Sequence, residues 1–373
     1  MSRRFARCSG AFLSSGALGV ALAIVFFVPT LVAAQSAGPA VKADTKAPKR
    51  GTERAAPSAK AWTTPRTLDG KPDLHGYWIS TSFTPLERPA KYNGREFLTA
   101  QEAEEVRKAG LQRRTQADPA AAAEPHYDST AFGLTPFQQG FVPNNRTSLV
   151  VDPPDGRIPP LTAKAKAREK TRGANDDSEA GGEGAVHADT ARDLGVLTNC
   201  LSMSGGPPIV PGGYNNGVYI LQNPETVVLQ AEYGTELRII PLDARPHAGA
   251  DIRQWHGDGR GHWEGETLVV ETTNFRPEAA FRHADPKTLK ITERFTRVAA
   301  DRIEYSFTID DPSTWTKPWT AIVPLQSTQG PFFEYACSES NMDVVNIMVG
   351  ARAAERAAEE KAKGASGIPI SQH

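Results

Sequence analysis

The chain has 373 residues, with 42 basic against 43 acidic side chains and 39% hydrophobic residues. That is ample apolar material for a large core. A formal charge of −1 without a basic stripe argues against nucleic acid as a partner, and no basic amphipathic segment points to a membrane surface.

The N-terminus reads as a secretory signal over residues 1–34. Arg3, Arg4 and Arg7 precede an apolar run, and Val32-Ala33-Ala34 offers small residues for cleavage. The apolar core from Leu18 to Val32 falls short of the ~20 residues that span a bilayer, so cleavage rather than stable membrane insertion is expected. The mature protein is then periplasmic or secreted. Cys8 leaves with the signal, and Cys200 and Cys337 are expected to bridge in an oxidising compartment.

Residues 35–61 form an Ala-, Lys- and Pro-rich linker too poor in large apolar side chains to fold. A single β-rich domain is expected over 62–364, with a disordered excursion at 173–188 and a tail at 365–373. Its first strand is Leu74 to Ser80. Thr99 and Glu102 have capping-box spacing ahead of a helix to about Arg114. Thr147–Val151 and Arg157–Ile158 are predicted to pair around a Pro-Pro-Asp-Gly turn, with a short polar helix from Ala163 to Lys170 after them.

From Val218 on, short β-branched runs alternate with turn residues: Val218–Leu221, Val227–Tyr233, Leu237–Ile240, Thr267–Thr272 and Thr288–Val298. Arg302–Asp310 places Ile303, Tyr305, Phe307 and Ile309 on one face. Trp319, Ala321, Val323 and Leu325 repeat that period of two. Phe332–Cys337 is predicted as the last strand and Val344–Lys363 as a terminal helix. This pattern predicts an antiparallel meander forming a barrel or a strongly curled sheet, with a few peripheral helices.

Signatures of nucleophile-elbow hydrolases, zinc proteases, P-loops and thiol redox centres are missing. The densest polar constellation lies between Arg245 and Glu266. Its candidate catalytic residues are His247, Asp251, His256, His262 and Glu264, as an acid/base site. The histidine spacings of nine and six residues match no standard ligand pattern, so no metal and no cofactor are expected. Candidate ligand contacts are Arg253, Trp255 and Trp263, together with Tyr214 and Asn215 beside a Gly-Gly pair. Glu232 and Arg238 flank the Gly234-Thr235 turn and are expected to face each other across it.

Several segments carry a resemblance to a known family. They are Arg66–Trp78, Ser148–Arg157, Pro241–His247, Gly261–Val270 and Phe333–Cys337. Through them the chain resembles an uncharacterised family of exported proteins from environmental bacteria, over nearly all of the expected mature region. The resemblance implies no activity. Members often carry His where this chain has Thr235 and Ser338, which counts against chemistry resting on those positions. Gly76-Tyr77-Trp78 also resembles the Gly-x-Trp that opens lipocalin-type barrels, a match of only three residues.

Two functions follow from these readings. The first is a barrel that binds a small, largely apolar or aromatic molecule against inward aromatics such as Trp263, Tyr305, Phe307 and Trp319. The second is an enzyme (lyase, isomerase or hydrolase) with its histidines and carboxylates at the barrel mouth. A third, an envelope structural protein tethered by its linker, has no residue pattern of its own. The oligomeric state is not readable.

Overall fold

The computed structural model describes residues 62–80, 82–115, 144–172, 189–202, 206–211, 216–339 and 341–365. The expected signal, the linker, the 173–188 excursion, Tyr214, Asn215 and residues 366–373 of the expected tail lie outside them.

Alternation decides the architecture. Every second side chain is buried along Ile291–Phe295 of β8 (Lys290–Ala299), all of β9 (Arg302–Asp310) and Trp319–Leu325 of β10 (Trp319–Thr328), and these are the three longest strands among the described residues. Tyr305, Phe307, Trp319 and Ile303 are fully buried on one face. Each such side chain contributes about 1.5–3 kcal/mol through removal from water.

The other strands are β1 (Gly76–Ile79), β2 (Val150–Asp152), β3 (Gly217–Gln222), β4 (Thr226–Ala231), β5 (Leu237–Pro241), β6 (Asp258–Glu264) and β7 (Thr267–Thr273). The ten strands among the described residues join one antiparallel sheet in the order β5-β4-β3-β1-β10-β9-β8-β7-β6, with β2 also on β10. Trp78 of β1, Ile220 of β3, Leu229 of β4, Val270 of β7 and Phe295 of β8 share a single hydrophobic cluster with the inward face of β9 and β10.

Pro324, in the middle of β10, shows how the pairing is accommodated. The Ile322 N–H points towards the β2 side, to Leu149 O at 2.9 Å, so by alternation the donor missing at Pro324 would point there too. That position falls between the stretch of β10 paired with β2 and the stretch paired with β1, where no ladder bond is required.

The sheet does not close into a barrel. Its two end strands, β5 and β6, come within side-chain reach of each other yet share no backbone ladder. Ile240 and Leu242 fill the space over Gly261 of β6, where an added methyl carbon would lie 2.8 and 2.7 Å from them. Pro241, at the end of β5, has no N–H to donate. Side chains, not backbone bonds, occupy this seam.

Four α-helices lie among the described residues: α1 (Ala100–Thr115), α2 (Ala163–Arg172), α3 (Gly195–Thr198) and α4 (Asp343–Ala365). The capping box of α1 is formed: Glu102 N–H donates to Thr99 Oγ1 at 3.2 Å, and Thr99 N–H to the Glu102 carboxylate at 2.9 Å. No helix among the described residues is long and apolar enough to cross a membrane. Cys200 and Cys337 are disulfide-bonded, tying the end of α3 to the segment before α4.

Two predicted pairings are corrected. Arg157–Ile158 does not pair with β2; the Ile158 N–H goes to the Glu87 carboxylate, and β2 pairs with β10 instead. Phe332–Cys337 is not a strand. The neighbours of β1 and β10 are already taken, so this segment crosses the outer surface, its Phe332 ring set edge-on to Tyr77 and its Tyr335 ring against Tyr233. The reverse error occurs at β6, an edge strand within the stretch read as a Gly-rich polar loop.

Candidate functional site

A cleft of about 440 Å³ opens at the seam between β5 and β6. Three stretches of chain line it. Leu237–Ile240 of β5 forms one wall, Asp258 and Gly259 of β6 the other, and residues 253–257 run across it beside Arg276.

The crossing segment is held from behind. Gln254 N–H donates to Asn274 O at 3.0 Å and Arg276 N–H to Gln254 O at 2.9 Å, so 253–257 runs along the strand exit after β7. Arg253 Nη1 donates to Phe275 O at 3.0 Å and Pro286 O at 2.6 Å, fixing one arm of its guanidinium. The Arg276 guanidinium lies over the Trp255 ring at 4.3 Å. Gly257 then turns the chain into β6 with φ of 67°. Only glycine fits that turn, since a side chain there would collide with the Thr273 carbonyl.

His256 lies between the two walls. Its Nδ1 is 3.0 Å from the Gly206 carbonyl, an acceptor, so Nδ1 carries the proton in the neutral ring. The neutral ring therefore has its lone pair on Nε2, 3.7 Å from a Glu236 carboxylate oxygen. Burial pushes the imidazole below its ordinary value, against the opposing pull of Glu236 and the Gly206 carbonyl. At neutral pH His256 is an uncharged base.

Beneath the cleft is a buried polar cluster. The Arg238 side chain is 5% exposed and that of Glu293 is fully buried, and the two form a two-pronged ion pair. Tyr305 Oη donates to the same carboxylate at 2.8 Å and accepts the Ile209 N–H at 3.0 Å. Burial drives the Tyr305 phenol well above its usual value, and Glu293 adds to it. Burial opposes the Arg238 charge, but the Glu293 carboxylate outweighs it and holds the guanidinium above its usual range. A continuous polar path thus runs from His256 through the 206–209 segment to Tyr305, Glu293 and Arg238.

The Arg245–Glu266 constellation is divided by the fold. His256, Trp255 and Arg253 line the cleft. His247 sits 3.2 Å from Asp258, whose carboxylate also takes the Ala248 N–H and an ion pair from Arg260. His262 and Glu264 lie half-exposed on the outer face of β6, 3.1 Å apart, with Arg294 on Glu264. Asp251 is exposed in the preceding turn. Trp263 faces inward, packing against the core.

Glu232 and Arg238 do not pair. The turn at Tyr233–Thr235 sets Arg238 opposite Leu229, facing inward, while Glu232 accepts the Gly217 N–H at 3.0 Å. Burial raises the Glu232 carboxyl above its ordinary range. Sequence reasoning missed Glu293, Glu236, Arg276 and Gly206. Only Glu293 carried a signal, as a carboxylate between Ile291 and Phe295 on the apolar face of a strand. Among the described residues, no group of three or more His, Cys, Asp or Glu side chains has metal-binding geometry. No family model, curated protein or solved structure matches the chain.

Proposed function

We propose that this chain is an exported periplasmic protein that binds a small molecule with a largely apolar or aromatic body, in the seam of a strongly curled sheet. The carrying observation is the position of the cleft. It lies where β5 and β6 face each other without pairing, beside Trp255, Leu237 and Ile239. An aromatic wall with a few fixed polar groups is the common composition of a ligand site.

A thermal-shift screen of aromatic and lipid-like compounds tests this. A ligand at a hundred times its Kd adds about 2.7 kcal/mol to native stability. For a domain of this size that is a rise of roughly 5–10 °C. A true hit loses its shift in Trp255→Ala. Hits that persist unchanged in that variant would place binding elsewhere and remove the cleft from consideration.

One observation favours an enzyme as the second reading: the neutral His256, its tautomer set by Gly206 and its basic nitrogen towards Glu236. If the cleft is catalytic, His256→Asn retains ligand binding and abolishes turnover.

A further inference from the structure

We infer that the ligand of this cleft is an organic anion, a carboxylate on an aromatic or apolar body, and that Arg253 is the residue that reads its charge. The inference rests on the binding reading above and names its ligand class.

Of the three arginines that line the cleft, one has no carboxylate partner among the described residues. Arg238 is neutralised by Glu293 from within the core. Arg276 pairs with Glu278 at 3.4 Å. Asp258, the carboxylate in the lining, is matched by Arg260 and takes the Ala248 N–H besides. Arg253 alone among the lining arginines has no carboxylate within ion-pair distance among the described residues; its recorded partners are the carbonyls of Phe275 and Pro286.

Those two carbonyls satisfy dipoles and leave the charge. Both hold Nη1, so the guanidinium is fixed without being neutralised. A partly buried arginine in this state is short of one anion, and a carboxylate supplies it with two acceptor oxygens in the matching plane. The rest of the lining restricts what that carboxylate is attached to. Trp255 stands two residues after Arg253 with its ring oriented by Arg276, and Leu237 and Ile239 form the opposite wall. A bare inorganic anion would leave this apolar surface in water. A neutral aromatic would leave the Arg253 charge without a counter-ion.

The test compares 2-naphthylacetate with 2-naphthylacetamide, which share the aromatic body and differ in charge, by calorimetric titration of the full-length protein. The expected result is a Kd at least tenfold lower for the carboxylate. Raising KCl from 0.05 to 0.5 M narrows that gap while leaving the amide unaffected. Arg253→Gln removes the gap, and Trp255→Leu weakens both compounds alike. If Arg253→Gln does not fold, Arg253→Lys takes its place: it keeps the charge, loses the planar fork and reduces the carboxylate preference, and an unchanged preference overturns the assignment. Equal binding of acid and amide overturns the anion inference and leaves the aromatic-binding reading standing. A carboxylate preference that persists unchanged in Arg253→Gln assigns the charge reading to another residue and also overturns it. Absence of binding by either compound removes both.

Discussion

Glu293→Gln isolates the cost of burying charge in this core. The substitution keeps the shape of the side chain and removes its charge, leaving the Arg238 guanidinium, 5% exposed, without its counter-ion. Breaking a buried pair from one side costs about 3–5 kcal/mol, because the remaining charge is neither hydrated nor matched. Against a typical total stability of about 5–15 kcal/mol that is a large fraction. At about 2–4 °C per kcal/mol for a domain of this size, the melting temperature falls by roughly 6–20 °C. Removing both partners, as Arg238→Met with Glu293→Leu, costs far less than the two single changes together, since no charge remains to be desolvated. It leaves the Tyr305 hydroxyl proton without an acceptor, a penalty of about 1–3 kcal/mol. Urea melts followed by circular dichroism on both single variants and the double variant close the cycle. A loss below about 1 kcal/mol in Glu293→Gln, or a double variant as unstable as the sum of the singles, would refute the reasoning, because either result means that water reaches the pair.

Three further outcomes are expected. The Cys200–Cys337 bridge spans 137 residues, and replacing both cysteines by alanine lowers stability by up to about 5 kcal/mol in the loop-entropy account, read as a shift in urea midpoint. Gly261→Ala costs about 1–3 kcal/mol through overlap with Ile240 and Leu242, whereas Gly350→Ala, which meets open space in α4, stabilises by about 0.5–1 kcal/mol; thermal melts of the pair separate packing from propensity. His256 is held below its ordinary value of 6.5, so the unfolded chain takes up this proton first as pH falls. Its contribution is therefore present above about pH 6.5 and is lost as pH drops through the lower native value. Glu236, Arg238 and the Gly206 carbonyl face the ring. His256→Asn, which keeps a donor for that carbonyl, flattens this component of a stability profile measured from pH 8 to 5, and an unchanged profile would show that the ring is not the group titrating.

Much of the sheet was legible because its longest strands bury one face and wet the other. Arg302–Asp310 was placed to the residue for that reason: a period of two across nine residues has no helical equivalent. The same logic hid β6. Its inward positions at Gly259 and Gly261 carry no side chain, so the apolar period vanishes where Ile240 of β5 and Leu242 just after it supply the filling. Phe332–Cys337 fails in the opposite way, with apolar residues that look like a strand but pack onto outer-face aromatics. Closure was beyond reading, since it depends on how β5 meets β6. For the site, the loop containing Arg253, Trp255 and His256 stood out by composition. Its division between cleft and solvent follows from the direction of β6, which turns His262 and Glu264 outward. The turn at Gly234-Thr235 suggests Glu232 as the partner of Arg238, but the side-chain period sends Arg238 into the core, to a carboxylate 55 residues away.

The unclosed seam and the buried ion pair bear on one another. A nonpolar pair of similar volume would fill the space under the cleft without the desolvation cost, so Arg238 and Glu293 are hard to account for as stabilisers. Their arrangement is better explained by what it positions. Tyr305 and Arg238 share one carboxylate, Tyr305 holds the Ile209 N–H, and the same 206–209 segment presents the Gly206 carbonyl that fixes the tautomer of His256. Rigidity in the core is thereby transmitted to the lining of a cleft whose two walls have no ladder between them. The Arg238→Met, Glu293→Leu protein distinguishes the two roles. If it remains folded yet loses the ligand, the pair belongs to the site. If it binds as the unaltered protein does, the cluster is packing alone, and the cleft owes its shape to the Gln254–Asn274 and Arg276–Gln254 backbone bonds instead.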